Sequence, residues 1–112
     1  GPDHAILAHQ LSGIGAALVG QGHHEEGLKH LERALQLRVS NEAAVNLRAE
    51  SRFALAEALA EAPEGRGRDL ERARKLGTDA LKEFEEAGDA GKDGPERVET
   101  WLAELDAPAA KR

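Results

Sequence analysis

LSGIGAALVGQGHHEEGLKHLERALQLR, residues 11–38, carries its apolar residues in two series separated by Gly20-Gln21-Gly22. Before the break, Leu11, Ile14 and Leu18 recur at spacings of three and four. After it, Leu28, Leu31, Ala34 and Leu35 do the same. That period belongs to a helix with one apolar face. Glycine adopts left-handed backbone angles at little cost and so ends a helix readily. The stretch therefore predicts two helices joined by a tight turn, an antiparallel hairpin. Gly15 and Gly27 fall inside those helices, where glycine costs up to ~1 kcal/mol relative to alanine. Their presence within helices raises the question of what they serve.

Working outward, the first helix extends from about His4 to Val19, adding Leu7 to its series, with Asp3 as N-cap. The second helix carries Glu25 and Lys29 four apart as a supporting surface pair. A third helix is predicted over about Glu42 to Glu61, capped by Ser40 or Asn41. It has two apolar stripes, Leu47, Leu55 and Leu59 on one and Ala49, Phe53, Ala56 and Ala60 on the other. A helix apolar on two sides is sandwiched between neighbours. Pro63 to Gly67 reads as a loop. A fourth helix over about Arg68 to Ala87 follows, with Leu70, Ala73, Gly77, Ala80, Leu81 and Phe84 as its apolar series. Gly88 to Gly94 breaks the chain again. Pro95 then suits a first helical turn, and Val98, Trp101, Leu102 and Leu105 line a short fifth helix over about 95–106. Residues 107–112 read as a flexible tail. The expected fold is all-α: two helix hairpins and a C-terminal capping helix, one domain over 1–106.

The bulk composition agrees with closely packed helices. Aromatics are only 3% of the 112 residues, so the core must be built from Leu and Ala, and no run alternates with the period of a strand. The net charge is −6, with 21 acidic residues against 15 basic. Such a chain has no basic excess with which to displace counterions from nucleic acid. There is no cysteine, which removes disulfides, thiolate metal sites and thiol nucleophiles and suits a cytoplasmic protein. No apolar run approaches the ~20 residues that span a bilayer, and no signal-peptide pattern opens the chain. The start at Gly1-Pro2, without methionine, reads as a piece of a longer protein or as a chain trimmed by a protease.

The internal glycines find their reason in a repeat. Leu11, Ile14, Gly15, Leu18, Gly22, Gly27, Leu31, Ala34 and Leu35 follow the spacing of a tetratricopeptide repeat, and the chain resembles that family over about residues 4–39. The resemblance implies that Gly15 lies where the partner helix crosses, that Gly22 makes the turn, and that Gly27 and Ala34 let the second helix pack close. The family's closing proline falls at Val39, so the second helix is expected to run on. A degenerate second copy covers about 42–87. In it Leu55, Ala56 and Leu59 correspond to Ile14, Gly15 and Leu18, and Ala73 and Ala80 to Gly27 and Ala34. The Pro63–Gly67 loop supplies its extra length. Leu11 corresponds to Arg52, a departure, with Phe53 taking over the packing. Gly1-Pro2-Asp3-His4 resembles the linker of the longer, kinesin-light-chain-like variety of these repeats. The whole pattern is similar to the C-terminal end of repeat arrays attached to bacterial serine/threonine kinases, myxobacterial ones in particular. The implied architecture is a right-handed superhelix.

The same resemblance implies a function, protein–protein interaction through a concave groove lined by the first helix of each repeat. Carried over residue by residue, His9, Ser12, Gly13, Ala16 and Val19 line it from the first copy, and Glu50, Phe53, Ala54, Glu57 and Glu61 from the second. Ser12 and Ala16 stand where chaperone-binding members place the Lys and Asn that grip a peptide carboxylate, which disfavours a chaperone-tail receptor. Small residues flanked by Glu suit a protein or peptide segment with apolar anchors and a basic edge. The alternative is structural: a cap or self-association module for a longer array, with no peptide ligand of its own.

Catalytic and metal readings find little support. His23 and His30 share a helical face near His24, but no third ligand converges on them. Ser12 and His9 lie three apart without an acid or an oxyanion device. Glu25/Glu26 and Glu85/Glu86 are adjacent and point to different faces. Gly13-Ile14-Gly15 lies within a helix pattern rather than after a strand, so it is not a phosphate loop. Neither a cofactor nor a catalytic residue is expected.

Overall fold

The computed structural model describes residues 2–107. Gly1 and the tail expected over 107–112, Ala107 apart, lie outside the described residues. Five α-helices follow one another: α1 Pro2–Gly20, α2 His24–Ser40, α3 Val45–Glu61, α4 Leu70–Ala87 and α5 Gly94–Asp106, with a 3₁₀ turn at Gly88–Gly91 before the last. No strand occurs among the described residues, so the chain is all-α.

Each helix packs on its neighbours in the chain, and α3 also touches α1 and α5. This pattern puts α1, α3 and α5 in one layer and α2 and α4 in the other, where an ion pair from Glu32 to Arg72 joins them. The molecule measures 45 × 30 × 18 Å, about two helix diameters in its thinnest direction. α3 is the sandwiched helix, with seven buried residues. On one side Leu55, Ala56, Ala58 and Leu59 pack with Leu28, Leu31 and Leu35 of α2 and with Ala73 and Leu76 of α4. On the other, Ala49 and Phe53 pack with Ala80 and Phe84 of α4 and with Val98 of α5. Trp101 packs against both groups.

The first hairpin is closed by glycines. A Cβ on Gly15 would stand 2.8 Å from Leu31 Cγ and 3.0 Å from the Gly27 carbonyl oxygen, and one on Gly27 would stand 2.8 Å from the Gly15 carbonyl oxygen. The two backbones cross there, closer than any side chain allows. At the end of α1, Gly22 takes φ 89°, its N–H bonds to Val19 O and the His23 N–H bonds to Leu18 O. That is the Schellman closure, in which a left-handed residue turns two amides back onto the last turn. The end of α2 repeats it with Glu42, at φ 52°, in the place of the glycine: Glu42 N–H bonds to Val39 O and Ala43 N–H to Arg38 O.

Several sequence expectations are corrected at the helix ends. Asp3 lies within α1 rather than ahead of it. Ser40 and Asn41 do not cap α3. Ser40 is the last residue of α2, and Asn41 caps that helix through its side-chain amide to Leu37 O at 2.8 Å. α3 starts three residues later than expected, after Ala44 and without a side-chain cap. α4 starts at Leu70 because Asp69 accepts from the Arg72 N–H at 2.9 Å.

Two core expectations also change. Ile14 and Leu47 are 49% and 40% exposed, and Leu7, Leu11 and Leu18 are only half-buried. The buried residues of α1 are Ala8 and Gly15. Small residues draw α2 against α1, so the larger side chains flank that contact instead of filling it. α1 moreover has neighbours on two sides only. In α5 the fully buried side chain is Val98, while Trp101 is half-buried.

Candidate functional site

Two hollows run along the layer of alternate helices, and Glu57 borders both. The smaller, about 220 Å³, lies between α1 and α3 and is lined by Ala16, Val19 and Gly20, by Leu31 beneath, and by Ala54, Glu57, Ala58 and Glu61. Its depth comes from the short side chains of Ala16, Ala54 and Ala58. The larger, about 520 Å³, lies between α3 and α5. Phe53 and Trp101 contribute aromatic rings, meeting edge to face at 5.7 Å and 83°. Glu57 of α3, Asp93 ahead of α5, and Glu96 and Glu104 of α5 contribute carboxylates, and Arg97 and Thr100 of α5 complete the lining.

α5 is held in place by a tight fit on α4 and a clamp on α3. A Cβ on Gly77 would stand 2.5 Å from Trp101 Cζ3, and one on Gly94 would enter the Phe84 ring. Both positions therefore need glycine for the helix to dock. Arg97 donates to Glu50 through both terminal nitrogens, at 3.1 and 2.9 Å. Its guanidinium also lies over the Phe53 and Phe84 rings, 5.3 and 5.5 Å from their centroids. The hydrogen bond to Glu50 pushes the Arg97 pKa up, and the charges of Glu57 and Asp93 add to the shift.

The electrostatics of the hollows centre on Glu57. Burial raises its carboxyl pKa, and the neighbouring Glu61 carboxylate raises it further. Glu57, Glu61, Asp93, Glu96 and Glu104 appear in no ion pair among the described residues. Arg97, which also lines the larger hollow, offsets part of this charge at Glu57 and Asp93, and the face stays net negative beside apolar surface.

The expected groove residues divide. Ala16, Val19, Ala54, Glu57 and Glu61 come together around the smaller hollow. Phe53 is buried, 4% exposed, and contributes to the wall of the larger one. Glu50 is occupied by Arg97. His9, Ser12 and Gly13 line neither hollow: His9 and Gly13 are exposed, and the Ser12 hydroxyl is buried without a hydrogen-bond partner. The α5 residues Glu96, Thr100, Trp101 and Glu104 were absent from the sequence reading of the groove. Glu96, Thr100 and Glu104 recur every four positions along one polar face, a visible signal. Only the docking of α5 beside α3 turns that face toward the hollow.

Among the described residues no three His, Asp or Glu side chains gather in a way that would hold a metal ion. No described helix is long and apolar enough to cross a membrane. Compared with protein-family models, curated proteins and solved structures, the chain gives no match.

Proposed function

We propose that this chain is a tetratricopeptide-type repeat module that binds a segment of another protein along the face of α1, α3 and α5. It would act by binding rather than catalysis, in the cytoplasm, as part of a larger signalling or scaffold protein. The observation that carries the reading is the pair of adjoining hollows, 220 and 520 Å³. A run of small residues and a row of unpaired carboxylates line them. An extended or helical segment with apolar anchors and a basic edge is complementary to that face. The tight crossing of Gly15 on Gly27, and the burial of Ala56 and Ala73 at the corresponding positions, support the repeat assignment and its superhelical geometry.

A second reading is favoured by one feature. Ile6 and Ile14 on α1 are 58% and 49% exposed, as befits a module that packs edge-on within an array or against a copy of itself. Affinity capture from the source cells separates the two. Wild-type chain and a variant carrying Glu57→Lys and Glu61→Lys are compared, and any captured protein is titrated against both. Charge reversal at these positions is expected to leave the fold intact and to weaken binding most at low salt. Unchanged affinity and salt dependence would remove the groove as the binding face and leave the array or self-association reading.

A further inference from the structure

We infer that the larger hollow takes one basic side chain of the bound segment, arginine by preference, against Trp101 and between the carboxylates of Glu57, Glu96 and Glu104. The inference rests on the groove reading above and adds to it the chemistry of one anchor.

Four observations carry it. First, the hollow combines aromatic surface with acid: two rings and four carboxylates around about 520 Å³. Apolar surface alone would fit many occupants, and carboxylates alone would be satisfied by water. A guanidinium uses both, because its plane lies on a ring while its edge donates to carboxylates. Second, the protein already performs this recognition in the wall of the same hollow. Arg97 lies over Phe53 and Phe84 and forks onto Glu50, so the surroundings accept a guanidinium in just this manner. Third, Arg97 lines the hollow and its charge acts on Glu57 and Asp93, but it is also forked onto Glu50, and one cation against four carboxylates leaves the hollow acidic. Lys92 faces a separate depression with Glu50, Asp89 and Asp93. Fourth, Glu57 stands at the junction of the two hollows. A segment lying along the small-residue face therefore passes the acidic one, and its basic side chain enters from the side.

The experiment uses a random dodecapeptide phage library panned on the whole chain. Enriched peptides are synthesised, and their binding is followed by the emission of Trp101, the single tryptophan. The expected outcome is a shared Arg or Lys flanked by apolar residues, with a Trp101 emission change on binding. Glu57→Gln with Glu104→Gln should weaken such a peptide at least tenfold. Glu85→Gln with Glu86→Gln, exposed on α4 and away from the hollow, should change it less than twofold. Replacing the peptide's basic residue by Leu should cost wild type as much as the acid variant loses. The two losses should not add, because each removes the same contact. Cooperative unfolding at midpoints no lower than that of wild type shows that the variants retain the fold. Peptides selected without a basic residue, or an Arg→Leu peptide that binds equally well, would overturn the inference. If those peptides are still blocked by Ala16→Trp, which fills the smaller hollow, the groove reading survives its failure. If no peptide is enriched, both readings fall.

Discussion

A methyl group on Gly15 would meet Leu31 Cγ at 2.8 Å and the Gly27 carbonyl oxygen at 3.0 Å. The leucine can turn aside, but the carbonyl belongs to a helix that cannot move without opening the hairpin. Gly15→Ala is therefore expected to destabilise by about 1–3 kcal/mol through overpacking, outweighing the better helix propensity of alanine. Gly13, two residues earlier, faces open space with nothing within 4 Å of its would-be Cβ. Gly13→Ala should instead stabilise by about 0.5–1 kcal/mol. Urea unfolding of the two variants is the check, and equal effects would show that α1 and α2 do not cross at Gly15. Glu42 supplies the converse case. It holds φ 52°, a conformation that costs an L-residue with a Cβ about 1–2 kcal/mol. Glu42→Gly relieves that strain but frees the unfolded chain, which takes back part of the gain. A net rise in stability of up to ~1 kcal/mol is expected, read as a higher melting temperature.

At the scale of single elements, α5 is the helix whose attachment decides the shape of the larger hollow. Its docking depends on Val98, fully buried, on Trp101 seated on Gly77, and on the Arg97 clamp. The clamp is a half-exposed pair and contributes at most ~1 kcal/mol. Packing is the larger part. Because Trp101 is half-buried, Trp101→Ala should cost about 2–3 kcal/mol, below the ~3–5 kcal/mol of a fully buried ring. Its emission should lie between that of buried and of free tryptophan. Emission at the free value in the native chain would show α5 undocked. Gly77→Val should move emission toward that limit by pushing the ring away.

Over the whole molecule the charge pattern sets a pH dependence. Burial and then Glu61 raise the Glu57 pKa above its ordinary 4.5, so in the window above 4.5 the folded chain binds more protons there than the unfolded chain. Stability from this group is then fully present below pH 4.5 and lost as pH rises through the folded-state pKa. Glu57→Gln should remove that loss. The variant should melt higher than wild type at pH 7, and the difference should vanish at pH well below 4.5. A difference independent of pH would show that the side chain's packing, and not its ionisation, is responsible.

Helix number and order, the two hairpins and the loops at 63–67 and 88–94 were legible in the sequence, because apolar period and glycine or proline punctuation act locally. The crossing at Gly15 and Gly27 was expected from the resemblance to the repeat family and not from glycine content, since Gly13 lies in the same helix with nothing within 4 Å of its would-be Cβ. Helix ends were not legible. Asn41 was read with Ser40 as a cap of the following helix, Asp69 was read as inside its helix, and the Schellman closure at Glu42 has no glycine to announce it. Burial was misread where it depended on who stood beside a helix. Ile14 and Leu47 keep the period of a buried face yet lie exposed, because no helix covers their side. The candidate site divided along the same line. Ala16, Val19, Ala54, Glu57 and Glu61 were carried over from the repeat resemblance, position by position along α1 and α3. Glu96, Trp101 and Glu104 joined them through the docking of α5 beside α3, a contact between residues some forty positions apart. Arg97 took Glu50 out of the groove by the same packing. Spacing along a chain specifies which side chains share a face of one helix, but which face a second helix covers is settled only when the two pack.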